Sequence, residues 1–306
     1  MKLPDVRHWL RLDHAHHSVA PARAPPIVVA PASIRSPALA TARDEEAEDG
    51  RLWSPARQEV VEALWGEGFQ FPGGEAETLR LVKPLGLSAA SSLLLVGAGS
   101  GGPPCRVAGE MGVWVTGYES DPDLVRAAME RSFRSKVAKR TRIESWDPMS
   151  PSFERGYYHH ALALEPLRDG HLEPTLAALA QGLKPLGHLV MLQTVADKPL
   201  DATDPVVAAW QALDGRPLDR LPSEQSITRA LTRLAFDVRI VEDVSRRHIH
   251  QAVGGWREAV HGMEQVKPTH EEAAHLVREA ELWLLRIRLL RNKNLRLLRW
   301  HAIGTA

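Results

Sequence analysis

The chain has 306 residues, 25% of them charged and 44% hydrophobic, a globular composition with enough apolar bulk for a large core. Its 38 basic and 38 acidic side chains cancel, which excludes a chain-wide cationic field for nucleic acid and leaves only local patches. One cysteine, Cys105, excludes an intramolecular disulfide and a Cys-based zinc site; with no apolar run of about 18 residues and no N-terminal apolar leader core, the expectation is a cytoplasmic protein without a membrane span.

Residues 1–50 read as a flexible tail. Between 21 and 43 there are five prolines and seven alanines, too little apolar bulk to offset ordering entropy, and an acidic run from Asp44 to Asp49 follows. The folded domain is expected over 51–306. Ser54-Pro55 is a helix start, because Ser accepts a free backbone N–H and Pro at the first helical position gives up nothing. Residues 66–74 carry too many breakers for helix or strand, and a helix with Leu79, Leu81 and Val82 follows, stopped near 84–86. From residue 92 strand and helix alternate: strands at 93–96, 113–118, 141–144, 157–164 and 189–193, with helices at 103–111, 122–134 and 175–183 between them. Beyond 194 a largely helical cap is expected to 294, with helices at 206–213 and 223–234 and through most of 245–291, interrupted by a strand at 236–241. A last strand runs over 295–303. The class is α/β: a doubly wound, mostly parallel, Rossmann-like sheet of seven strands with helical cap insertions.

The sharpest signal is an apolar strand that runs into Gly97-Ala98-Gly99-Ser100-Gly101-Gly102 and then a Pro-started helix. Glycines there leave backbone and helix N-terminus open to a ligand. Glu119 ends the next strand, about 20 residues on, where an acid accepts hydrogen bonds from ribose hydroxyls. Taken alone the pattern fits two nucleotide binders, since Gly97, Gly99 and Gly102 satisfy G-x-G-x-x-G and Gly97, Gly99 and Gly101 satisfy G-x-G-x-G.

From about residue 55 to 306 the chain resembles the class I S-adenosylmethionine (SAM)-dependent methyltransferases. Glu119 matches that family's ribose-binding acid, and Asp147 the position whose acid holds the adenine amine. The stretch Leu183-Lys184-Pro185-Leu186-Gly187-His188-Leu189 is similar to the family's L-K-P-G-G approach to the fifth strand. A closer likeness is to the phosphoethanolamine N-methyltransferases, through Trp65-Gly66-Glu67-Gly68-Phe69 and Pro72-Gly73-Gly74, and through Arg299-Trp300-His301-Ala302-Ile303 as a final strand. The resemblance implies a SAM site built from Gly73, Gly74, Gly97, Ala98, Gly99, Gly101, Glu119, Ser120, Trp146 and Asp147, with loop 66–74 as a lid. It departs from the family at three places: Leu95 stands where an acid is usual, Trp53 where the catalytic tyrosine falls, and no histidine occurs between Pro166 and Arg168.

A sulfonium-activated methyl group needs no acid for its departure, so transfer is an in-line displacement for which the protein mainly supplies alignment and a dry site. Ligands of such sheets sit beyond the carboxyl ends of the strands, which makes Glu165 the candidate to orient or deprotonate an amine or hydroxyl of a small-molecule or lipid-like acceptor. The alternatives are a catalytically impaired scaffold or SAM sensor, and an NAD(P)-dependent oxidoreductase, for which a Tyr–Lys pair is missing. No metal site is expected: His159 and His160 are adjacent on a strand and face opposite ways. Cys105 is read as a small buried residue, Trp53, Trp65, Phe69 and Phe71 as lid packing or a pocket lining, and His248 and His250 as a solvated face or the rim of an anion site. The basic run Arg286, Arg288, Arg291, Lys293, Arg296 and Arg299 is expected to be split between a helix and a strand, with weak membrane-surface contact as the alternative.

Overall fold

The structure, a computed structural model, describes residues 52–263 and 267–305. The tail expected over 1–50 lies outside the described residues. Four parallel pairings build the middle of one sheet. β1 (Ser92–Val96) pairs with β2 (Trp114–Glu119) on one side and β4 (Tyr158–Leu164) on the other; β2 pairs with β3 (Thr141–Ser145) and β4 with β5 (Leu183–Val195). β7 (Arg296–Gly304) then inserts antiparallel between β5 and β6 (Phe236–Asp243), giving the order β3-β2-β1-β4-β5-β7-β6. All five residues of β1 are buried, as an uninterrupted apolar run in the centre of a two-face-covered sheet requires.

Helices cover both faces. On one, α5 (Leu172–Gly182) and α7 (Glu224–Arg233) pack Leu176, Leu179, Ile227 and Leu231 against Tyr158, Met191 and Trp300. On the other, α2 (Gly74–Val82) and α3 (Gly102–Met111) set Leu81, Val82, Val107 and Ala108 against Leu93, Leu95, Leu162 and Val190. α4 (Pro122–Arg134) follows β2, its first turn capped by Asp121, which accepts from the Asp123 and Leu124 amides. A separate apolar cluster joins α1 (Pro55–Trp65), α8 (Ser245–Met263) and α9 (His270–Arg291) through Leu64, Trp65, Trp256, Leu276 and Trp283. α6 (Pro205–Asp214) packs Val207 and Trp210 with Leu289 and Leu290. α1 is also fixed to α9 by the buried pair Arg57–Glu279, 3.0 Å apart. Among the described residues no helix is long and apolar enough to cross a membrane.

The strands and helices expected from the sequence are present; α5 starts three residues early, and the largest shift is in β5. β5 begins at Leu183, six residues before the expected start, because Leu183 already pairs with Tyr158 of β4. The stretch Lys184-Pro185-Leu186-Gly187 is thus a kink inside an extended segment. Leu186 sits there at φ +61°, 62% exposed, at the position where the L-K-P-G-G pattern has glycine. A left-handed conformation costs an L side chain about 1–2 kcal/mol, and an exposed leucine regains little of it by packing. Leu186→Gly is therefore expected to raise the unfolding free energy by about 1 kcal/mol, net of glycine's larger unfolded-state entropy, measured by urea titration; unchanged or lower stability would mean that Leu186 is not strained.

Candidate active site

The glycine-rich turn is held between the ends of β1, β2 and β4. Gly97 and Ala98 both donate their amides to the Tyr118 carbonyl, at 3.0 and 3.1 Å. The Glu119 side chain folds back over the turn and accepts from the amides of Gly99 (2.8 Å), Ser120 (2.8 Å) and Asp121 (3.3 Å). Burial pushes its carboxyl above the ordinary value, and these three donors offset that only in part. Two of the glycines do not open the turn to a ligand as expected. A Cβ on Gly97 would strike the Leu164 carbonyl, and one on Gly101 would come within 2.8 Å of Ala128 Cα. Those two make room for protein; at Gly99 the Cβ direction instead meets a side chain, Gln70, whose Cγ is 3.0 Å away.

Loop 66–73 lies directly on this turn. The Gly102 amide, at the start of α3, donates to the Gly68 carbonyl at 2.9 Å, an approach that a Cβ on Gly102 would block. Arg131 of α4 clamps the assembly: its guanidinium donates to the Ser100 carbonyl (2.8 Å), to Glu62 of α1 (2.6 Å) and to Glu67 of the loop. Ser100 Oγ donates to the same Glu62 at 2.7 Å. Beside Gly99, the Gln70 Nε2 is buried without a hydrogen-bond partner. Sequence reasoning missed Gln70, Glu62 and Arg131, although Arg131 falls in register with the buried Leu124 and Ala128 of α4, where an apolar residue belongs. Trp65 and Phe69 are buried in lid packing, Trp65 edge-on to Trp283 at 4.9 Å, and Trp53 is stacked under Arg57.

The remaining expected residues divide. Ser120 is bonded to Glu119 through its amide, and the Trp146 amide donates to the Glu119 carbonyl at 3.1 Å, so both adjoin the turn. The Trp146 ring is half-buried against Phe153. Asp147 is exposed beyond β3 and accepts from the Met149 amide at 2.9 Å. Gly73 and Gly74 open α2, facing Gln251 and the Trp65 carbonyl. Leu95 is wholly buried in the apolar cluster under α2 and α3. Cys105 is buried, as expected, and burial pushes its thiol up to about 11.

Glu165, at the end of β4, has φ +51° and sits at the centre of a charge network that sequence spacing did not reveal. Arg216 reaches one carboxylate oxygen at 3.0 Å and Arg286 of α9 the other at 3.0 Å, while Thr194 and Gln193 also donate to it. Arg216 pairs in turn with Asp214 at 3.3 Å, and the Arg168 guanidinium bonds the Asp214 carbonyl at 2.6 Å. Burial acts to raise the Glu165 carboxyl, yet Arg216, Arg286 and Thr194 overcome it and hold it at about 2. A carboxylate so held does not take up a proton near neutrality, so the geometry argues against the deprotonating role expected for Glu165. Next to this network three nitrogens are buried without partners: Arg216 Nη2, Arg286 Nε and His248 Nε2. His248 is buried against Trp283, not on a solvated face, and burial with Arg286 nearby lowers its ring to about 3, so it is neutral.

No protein-family model matches the chain. Phosphoethanolamine N-methyltransferase 2 of Caenorhabditis elegans is 26% identical over 137 residues, 44% of this chain and 31% of that protein. The structure of Haemonchus contortus phosphoethanolamine N-methyltransferase 2, in complex with phosphomonomethylethanolamine and S-adenosylhomocysteine, superposes with a TM-score of 0.74 at 18% identity, over 87% of this chain and 61% of that one. The fold is that of the SAM-dependent methyltransferases. Geranyl diphosphate C-methyltransferase of Streptomyces coelicolor A3(2), bound to Mg2+, geranyl-S-thiolodiphosphate and S-adenosylhomocysteine, shares it with a TM-score of 0.64 at 13% identity, over 89% of this chain and 99% of that one. The chain thus spans about a third of the curated methyltransferase and about three-fifths of the Haemonchus methyltransferase chain.

Within this methyltransferase fold the acid limb of stability belongs to the Glu165 network. Glu165 and Asp214 are both depressed to about 2, against about 4 in an unfolded chain. Their stabilisation is therefore present above about pH 4 and is lost as pH falls toward 2. Urea midpoints followed from pH 5 to 2 are expected to drop less steeply in Glu165→Gln than in the wild type, although the variant is weaker at neutral pH; parallel curves would remove Glu165 from the network.

Proposed function

We propose that the chain is a SAM-dependent methyltransferase acting on a small or lipid-like acceptor with an anionic group, through nitrogen or oxygen. The observation that carries the cofactor is the state of Glu119. Its burial outweighs its donors, the Gly99, Ser120 and Asp121 amides and the Ser120 hydroxyl, and the paired hydroxyls of a ribose are further donors of the right kind. The unpartnered Gln70 amide beside Gly99 fits the same ligand. Glu119 would hold the sugar, with Gly99 and Ser120 beneath it, and Trp146 and Asp147 would flank the adenine. The lid of 66–74, clamped by Arg131, would keep water out. When bound, SAM supplies a methyl group activated by its sulfonium.

On the acceptor side the support is electrostatic. Arg168, Arg216 and Arg286 face Glu165, Asp214 and Asp169, and three buried nitrogens there, two of them on guanidiniums, lack partners. A phosphate or diphosphate satisfies such a centre. Glu165 then acts as the anchor that fixes Arg216 and Arg286, and the nucleophile arrives already unprotonated. A SAM-binding scaffold without turnover is the second reading, favoured by Leu95 in its apolar surroundings and by Trp53 stacked under Arg57.

Calorimetric titration with SAM, S-adenosylhomocysteine and NADH tests the cofactor. Micromolar binding of the first two and none of NADH is expected, and Glu119→Ala is expected to weaken SAM by roughly 1–3 kcal/mol; unchanged affinity would take Glu119 out of the site. Incubation with SAM and phosphorylated amines or isoprenoid diphosphates, read as S-adenosylhomocysteine released, separates the enzyme from the scaffold.

A further inference from the structure

The basic run over 286–299 does more than disperse. Arg286 turns inward to Glu165 and Arg299 to Glu242, both buried, while Arg288 is exposed on α9. Arg291, Lys293 and Arg296 do something else: with α8 they wall a groove of about 900 Å3. The α8 wall supplies Arg246, Arg247 and Arg257, and the apolar part of the lining comes from Val244, Ile249, Val253 and Leu290. The volume falls in the range of sites that bury a small molecule.

The charges in this groove do not balance. Arg296 is paired with Asp197 and Glu224, and Arg247 lies 3.8 Å from Glu242. Of the two acids on the lining, Glu242 is engaged by Arg299 at 2.7 Å, and Asp243 accepts from the Ser245 amide at 2.9 Å. Among the described residues no ion pair reaches Arg246, Arg257, Arg291 or Lys293. Four unpaired like charges around one concavity repel each other, and an anion seated between them relieves that repulsion. A bare phosphate would leave the apolar lining unused. A phosphate joined to a hydrocarbon uses both.

The groove is separate from the charge network at Glu165. His248 is buried against Trp283, whereas Arg246, Ile249, His250 and Val253 of the same helix line the groove, to which neither Arg216 nor Arg286 contributes. We propose that the groove between α8 and the α9–β7 turn is a second ligand site, one that takes a phosphorylated amphiphile with its phosphate on the cations and its hydrocarbon on the half-buried Ile249 and Val253. Such a ligand is either a free phosphorylated metabolite or the headgroup and upper chain of an anionic phospholipid in a bilayer.

The test uses the full chain with no SAM present, so it stands apart from the cofactor assignment. Dihexanoyl phosphatidic acid, below its micelle concentration, is titrated calorimetrically; phosphatidylcholine vesicles with and without phosphatidic acid are used for co-sedimentation. Wild type is expected to bind at least one phosphatidic acid form, the soluble one if the ligand is a free metabolite and the vesicle if it is a membrane lipid. The exposed double variant R246E/R291E is expected to lose about tenfold or more in affinity, from the loss of charge-assisted contacts, while R288E, exposed on α9 outside the groove, binds as wild type. Two results would overturn the proposal: no binding of either form by the wild type, or a loss in R288E equal to that in R246E/R291E, which would reduce the effect to net charge.

Discussion

The carboxyl edge of the sheet is organised by one buried carboxylate. Glu119 ends β2, turns back over β1 and ties the Gly99 amide to the first residues leading into α4. Each bond is charge-assisted, and together they fix the course of the turn. They still do not match what burial removes, since the carboxyl remains above its ordinary value. The lid loop, the Arg131 clamp and Gln70 all pack on the turn that it holds.

Glu165 is its counterpart across β1, and the two carboxylates are in opposite conditions. Glu119 has backbone donors and no cation; Glu165 has two guanidiniums, a hydroxyl and an amide, and is driven to about 2. The first retains capacity for further donors. The second is occupied by its donors, and beside it Arg216 Nη2 and Arg286 Nε are left without partners. The difference follows from where the partners come from. Glu119 is surrounded by its own strand end and turn, whereas Glu165 meets Arg216 behind α6 and Arg286 on α9, so the cap closes onto the sheet through charge as well as through the apolar cluster of Trp65, Trp256 and Trp283.

What could be read from the sequence depended on range. β1 and β2 are apolar runs bounded by glycine and an acid, and the Glu119-to-turn relation spans only one strand–helix–strand unit, so both were legible. The start of β5 was not, because Lys184-Pro185-Leu186-Gly187 has the composition of a turn and bulges between the Tyr158–Leu183 and His160–His188 pairs. The Glu165 network was illegible for a stronger reason: its members lie at 165, 194, 214, 216 and 286, and no local pattern joins them. The basic run shows the intermediate case. Helical period places Arg286 inward and Arg288 outward, but Arg291 and Lys293 fall at and beyond the end of α9, where periodicity no longer decides their direction.

The central claim is that the adenosyl group binds against Gly99 and Glu119. A crystal structure of the full chain grown with S-adenosylhomocysteine tests it most directly. The account expects density for the ribose within hydrogen-bond distance of the Glu119 carboxylate, with the Gln70 amide engaged by the ligand. Well-ordered ligand elsewhere on the molecule, with Glu119 keeping only its partners within the chain, would contradict it.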